Sequence, residues 1–161
     1  MSLMSFLNPQ LVLRRSFPDQ VAGYYKTSMS GPLKNFSVGY NFVVADRIVS
    51  AVTLFGYRRE SSLISGFDFF KDFGSPGGKN HKYLGEKKLN LKTLDGTYTA
   101  LMSAWSETVQ FDNTIQHIIS CLHMFEIGNK IIKIRSSCPF DDLDFANEKM
   151  YELIANLKLN I

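Results

Sequence analysis

Two dipeptides, Asp95-Gly96 and Gly128-Asn129, constrain this chain more than any other feature. Each stands between runs suited to strands. Lys87 to Leu94 and Thr97 to Val109 flank the first; Ile115 to Ile127 and Lys130 to Ser137 flank the second. A two-residue loop of this composition joins neighbouring strands as a hairpin, and its corners take the positive φ that Gly and Asn or Asp tolerate. The reading therefore places Asp95 and Gly96 at one corner and Gly128 and Asn129 at the other. Consecutive hairpins of this kind build an antiparallel sheet.

Other segments fit around that sheet. Phe36, Val38, Tyr40 and Phe42 alternate with Ser37, Gly39 and Asn41, the period of a half-buried strand. Ala45-Asp46-Arg47 reads as a turn, and Ile48 to Tyr57, apolar on both faces, as an interior strand. Ser61-Ser62 reads as a helix cap, with Leu63, Ile64, Phe67 and Phe70 following and Gly74 closing the helix. Near the C-terminus, Pro139 stops a strand and Asp141 or Asp142 caps a last helix. Its Leu143, Ala146, Met150, Leu153, Ile154 and Leu157 form one apolar stripe. Leu11 to Leu13 suit a helical turn or a strand equally, and Phe17-Pro18 is a break. The expected order is β-β-α-β-β-β-β-α, after an N-terminal strand or helix. The expected class is α+β: a central antiparallel sheet built from hairpins, flanked by helices that include a C-terminal amphipathic one.

With 161 residues the chain suits one domain, residues 1–161, in which positions 1–3 ahead of a second Met read as an expression scar. Thirteen Phe and seven Tyr predict a core built from rings. A net charge of +3 is too small for the basic stripe of a nucleic-acid binder, so the expected partner is a protein. No apolar run reaches the roughly 18 residues of a membrane span. No charged start followed by an apolar stretch marks an export signal, so the reading is cytoplasmic by default, or periplasmic if a signal preceded the scar.

From Ile115 to Leu157 the pattern is strand, Gly-Asn turn, the strand Lys130-Ile131-Ile132-Lys133-Ile134-Arg135, then a capped amphipathic helix. This resembles the C-terminal half of the Mog1/PsbP-like fold. Phe17-Pro18, Gly23-Tyr24, Ser37-Val38-Gly39-Tyr40 and Val52-Thr53-Leu54-Phe55-Gly56-Tyr57 are also similar to uncharacterised bacterial domains of that kind. The resemblance implies an accessory or binding domain with a sheet between helices, and it brings no active-site residues with it.

The residues with most chemistry lie on the Ile115–Phe125 strand. His117, Cys121 and His123 share parity and so one face, and Cys138 ends the next strand. Imidazole and thiolate are zinc ligands, and a structural site needs four in a tetrahedron. His117 and His123 stand six residues apart, about 20 Å along a strand, so at most Cys121, His123 and Cys138 can meet. Ile119 and Phe125 on that face favour packing over metal. A two-residue turn pairs Ile127 with Lys130, which sets Cys121 opposite Ser136 and Cys138 opposite Ile119. The cysteines are then diagonal and free, whereas a four-residue loop would set them opposite each other.

The loop Gly74-Ser75-Pro76-Gly77-Gly78-Lys79-Asn80 is one residue short of a phosphate loop, and Asn80 stands where the magnesium-binding hydroxyl belongs. No serine lies in a nucleophile elbow. Asp141, Asp142 and Asp144 suit a helix start better than a carboxylate pair. No catalytic residue and no cofactor is expected. The leading expectation is a non-catalytic accessory or protein-binding domain, which requires an exposed aromatic patch. The alternative is a small apolar-ligand carrier, which requires a closed pocket between sheet and helix. An enzyme comes third.

Overall fold

The computed structural model describes residues 9–58, 81–111 and 113–161. Helix α1 (Pro9–Ser16) leads into strands β1 (Gln20–Val21), β2 (Tyr24–Ser30), β3 (Asn35–Val44) and β4 (Arg47–Arg58). Strands β5 (His81–Thr93), β6 (Gly96–Phe111), β7 (Thr114–Ile127) and β8 (Lys130–Pro139) follow. A 3₁₀ turn, Phe140–Asp142, then runs into helix α2 (Leu143–Ala155).

All eight strands form one antiparallel sheet in the order β1-β2-β3-β4-β8-β7-β6-β5. It consists of two four-stranded meanders whose last strands, β4 and β8, pair with each other along Ala51–Arg58 and Lys130–Ser137. Among the described residues the two helices are short and the strands dominate. The expected α+β class with flanking helices is thereby corrected: this is close to an all-β protein, with both helices on the same face of its sheet. The cause lies in strand length and number. β5 begins at His81 rather than Lys87 and β6 reaches Phe111, while β7 and β8 gain only one and two residues, and β1 and β2 come from residues that alternation had not marked. These added segments are paired across the ladder, and backbone pairing needs no apolar side chain. The expected helix from Ser61 to Gly74 and the loop from Gly74 to Asn80 lie outside the described residues.

The N-terminal ambiguity resolves as a helix. Leu13 of α1 and the following Phe17 are fully buried, and Phe17 lies 5.4 Å from the Phe36 ring. The inward face of the sheet gathers Phe36, Val38, Tyr40, Val52, Leu54, Ile132, Ile134 and Phe125 into the main core. Onto it α2 lays Met150, Leu153 and Ile154, with Leu157 just beyond the helix, all with 1% exposure or less. Each such side chain contributes about 1.5–3 kcal/mol on burial. A 13-residue helix is marginal alone in water, so this packing holds it.

The two glycine-marked hairpins differ. At Gly128-Asn129 the register holds, with Ile127 paired to Lys130 and Gly128 at φ +60°, while Asn129 lies outside the left-handed region. At Asp95-Gly96 the turn sits one residue earlier. Thr93 pairs with Gly96, so Leu94 and Asp95 are the corners, and Gly96 lies outside the left-handed region. The Thr93 hydroxyl donates to the Asp95 carboxylate (2.9 Å) and to the Gly96 carbonyl (2.8 Å), which fixes the tight loop without a left-handed residue. The same carboxylate accepts from the backbone N–H of Asn160 (2.9 Å) and of Leu159 (3.4 Å), and Leu94 N–H donates to the Leu157 carbonyl (3.0 Å). The turn is shaped by the C-terminal tail that it holds.

Candidate functional site

The chemistry-bearing residues of β7 and β8 do not converge. His117 lies exposed near the start of β7, its Nδ1 3.4 Å from the Thr108 hydroxyl. Cys121, His123 and Cys138 are buried beneath α2. The register is the one the two-residue turn requires, Cys121 opposite Ser136 and Ile119 opposite Cys138, and both thiols are free. Diagonal neighbours stand about 7–8 Å apart, against the roughly 4 Å Cβ separation of a disulfide.

Ile119, Ala146, Leu143 and Ala104 surround the two sulfurs. Burial pushes the Cys138 thiol up to about 11 and also raises Cys121, where the charge of Lys87 acts in the opposite sense. A thiol so placed stays protonated and is a poor nucleophile and a poor ligand. Among the described residues no group of three or more His, Cys, Asp and Glu is placed to hold a metal ion.

His123 is instead turned to α2. Its Nε2 shares a 2.8 Å hydrogen bond with the Tyr151 hydroxyl, and the rings meet edge to face at 5.4 Å. Its Nδ1 is buried without a hydrogen-bond partner among the described residues. Burial, helped by the charge of Lys87, lowers the ring to a pKa of about 4, so it is neutral at pH 7. A second N–H, which protonation would create, meets no acceptor there. This pair fastens helix to sheet. Parity alone placed His123 on the core face, but nothing in the sequence paired it with Tyr151.

The capping expectation needs correction. Asp142 occupies the N-cap position of α2 but makes no capping hydrogen bond. Its carboxylate is taken by Arg47, whose two guanidinium nitrogens lie 2.6 and 3.3 Å from its oxygens. That hydrogen bond and charge raise the Arg47 pKa further. The fork geometry links the start of β4 to the start of α2.

Beside this ion pair an open depression of about 710 Å³ lies between the first residues of β4, the first residues of β7 and the 3₁₀ turn. Ile48, Ile115 and Phe140 line it, with exposures of 49%, 63% and 56%. Val44 and Phe145, also exposed, flank these segments in the chain. Asp46, Arg47, Asp141 and Asp142 also line it, together with Gln116, His117 and Pro139. The sequence reading missed this site because its members come from three distant segments and none belongs to a motif. Phe140, an aromatic followed by two aspartates after a strand-ending proline, was its one local sign.

Among the described residues, fold and site define a largely β protein: one eight-stranded antiparallel sheet, a helix-covered core face, and an apolar depression with charged edges at the ends of the central strands β4, β8 and β7. No protein-family model matches the chain, and no curated protein matches it.

Proposed function

We propose that the chain is a non-catalytic binding module that docks a partner protein at the corner formed by Ile48, Ile115 and Phe140. The observation that carries this reading is the exposure of those three side chains around one depression. Scattered surface apolar residues need no explanation, but large ones gathered in a concave site do. The patch stands at the strand ends in the middle of the sheet order, where β4, β8 and β7 are neighbours, and it holds one aromatic ring, Phe140. The carrier reading finds less support, since Met150, Leu153 and Ile154 fill the space between sheet and α2. A Mog1/PsbP-like relationship is part of the proposal only through the run of β7, Gly-Asn turn, β8 and α2; the sheet between helices that it implied is not the fold found.

The test is site-directed photo-crosslinking in cells, with the reactive residue at Ile115 or Phe140 and a control at Glu148 on the exposed side of α2. A discrete adduct from the first two positions and none from the control supports the docking corner. Equal labelling from all three sinks it.

A further inference from the structure

The charge at this corner runs against the charge of the whole chain, and we infer that the partner segment it takes is basic and amphipathic. The inference rests on the docking reading above and adds the partner's chemistry. Three aspartates, Asp46, Asp141 and Asp142, line the depression, and Arg47 is engaged with Asp142 at 2.6 Å. Asp46 and Asp141 remain as exposed carboxylates beside Ile48, Ile115 and Phe140. The chain carries a net +3, and the edge strand β5, separated from β7 by β6, bears Lys82, Lys87, Lys88 and Lys92, none of which lines the depression. The corner is thus a negative, apolar spot on a positive molecule.

A complementary surface needs large apolar side chains for the concave part and cations at its border. Oppositely charged borders speed encounter and fix register, while apolar contact supplies the hold. A lysine- or arginine-bearing segment with an apolar face meets both conditions. The same carboxylates repel an anionic membrane surface. A second copy docked about a two-fold axis would set Asp46 and Asp141 against their own kind.

The probe is a labelled peptide of about 14 residues, leucines on one helical face and lysines on the other, the pattern of a helix laid in a groove. Its counterpart carries glutamate in place of lysine. Both are titrated against the full chain by fluorescence anisotropy. The lysine peptide should bind saturably and at least about tenfold tighter than the glutamate peptide, with an affinity that falls as salt rises. Asp46→Asn with Asp141→Asn should weaken it by about tenfold, since the apolar contacts remain but the attraction is gone. Asparagine suits the left-handed backbone of position 46, where φ is +60°.

Ile115→Ser with Phe140→Ser should abolish binding while the thermal melt stays that of the parent. If the two peptides bind equally and the serine variant abolishes both, the basic partner is wrong and the docking corner stands. If binding ignores the serine variant, or the lysine peptide does not bind saturably, both readings fall. Co-sedimentation with phosphatidylglycerol vesicles, or a dimer that dissociates on Phe140→Ser, would equally overturn the inference.

Discussion

At its N-terminal end α2 is tied to the sheet by an exposed ion pair, Arg47 with Asp142, next to the half-buried Leu143. At its C-terminal end Leu157 and Leu159 are fully buried, and Asp95 with Leu94 binds the backbone of residues 157, 159 and 160. Surface ion pairs contribute about 0–1 kcal/mol, whereas hydrogen bonds to a charged group contribute about 1.5–3. The N-terminal end is also held, by Phe145 against the Phe42 ring at 5.4 Å and by the buried Ala146, so the contrast is one of degree: the end that borders the depression lacks the fully buried leucines and the charged hydrogen bonds of the other.

The largest effect expected from this asymmetry is at Leu157. Leu157→Ala should cost about 2–5 kcal/mol through lost transfer energy and a cavity, as should Leu153→Ala. Equilibrium urea unfolding of Leu157→Ala beside Leu143→Ala measures the difference between the ends, and equal midpoints would erase it.

Next comes the fastening beneath the middle of the helix, His123 with Tyr151. Because its folded pKa of about 4 lies below the unfolded value near 6.5, the unfolded chain binds a proton first as pH falls. Stability at this site is therefore whole above pH 6.5 and declines toward pH 4, by about 1.4 kcal/mol per unit. From pH 7 to pH 5 the parent should lose about 2 kcal/mol more than His123→Phe. Identical losses in the two proteins would mean that the ring titrates freely in the fold.

Asp95→Ala should cost about 1–2 kcal/mol, at the low end for charge-assisted bonds because the carboxylate is exposed. Its local mark is faster amide exchange at Leu159 and Asn160, with residues 143–146 unchanged; uniform acceleration along α2 would contradict separate fastenings. Arg47→Ala, at the other end, should cost less than about 1 kcal/mol, and high salt should weaken the parent's pair in the same direction. Gly96→Ala, the smallest change, should stay within about 0.5 kcal/mol. Position 96 needs no left-handed backbone, and an added Cβ meets the Tyr98 hydroxyl at 3.1 Å, the tip of a side chain that can move. A large loss there would return the corner to Asp95-Gly96.

What the sequence disclosed follows from the range of each signal. The Gly128-Asn129 register, the diagonal cysteines and the stripe from Leu143 to Leu157 rest on local periodicity and turn chemistry, and the structure has them, with Leu143 only half-buried and Leu157 just past the helix end. The Asp95-Gly96 corner failed because the choice between two corners one residue apart was made by the tail at Leu159 and Asn160, more than sixty residues later. Asp142 failed as a capping side chain for the same reason, since its partner, Arg47, is 95 positions away. The α+β expectation failed because β1, β2 and the first residues of β5 are strands through backbone pairing, with little apolar alternation to mark them. The depression left only Phe140 as a local sign, because Ile48, Ile115 and Phe140 become neighbours through the β4–β8 seam and the strand beside it.

That seam also sets an order of events during synthesis. β4 ends at Arg58 and β8 begins at Lys130, so β4 leaves the ribosome long before the strand that completes it. At about 5–20 residues per second the wait is several seconds. Through it the nascent first meander ends in an open edge with Val52, Leu54 and Phe55 along it. An unpaired apolar edge is a template for another chain. The early half of this protein therefore waits with an apolar strand short of its partner, and a nascent chain that stalls before β8 is expected to aggregate more readily than the finished one.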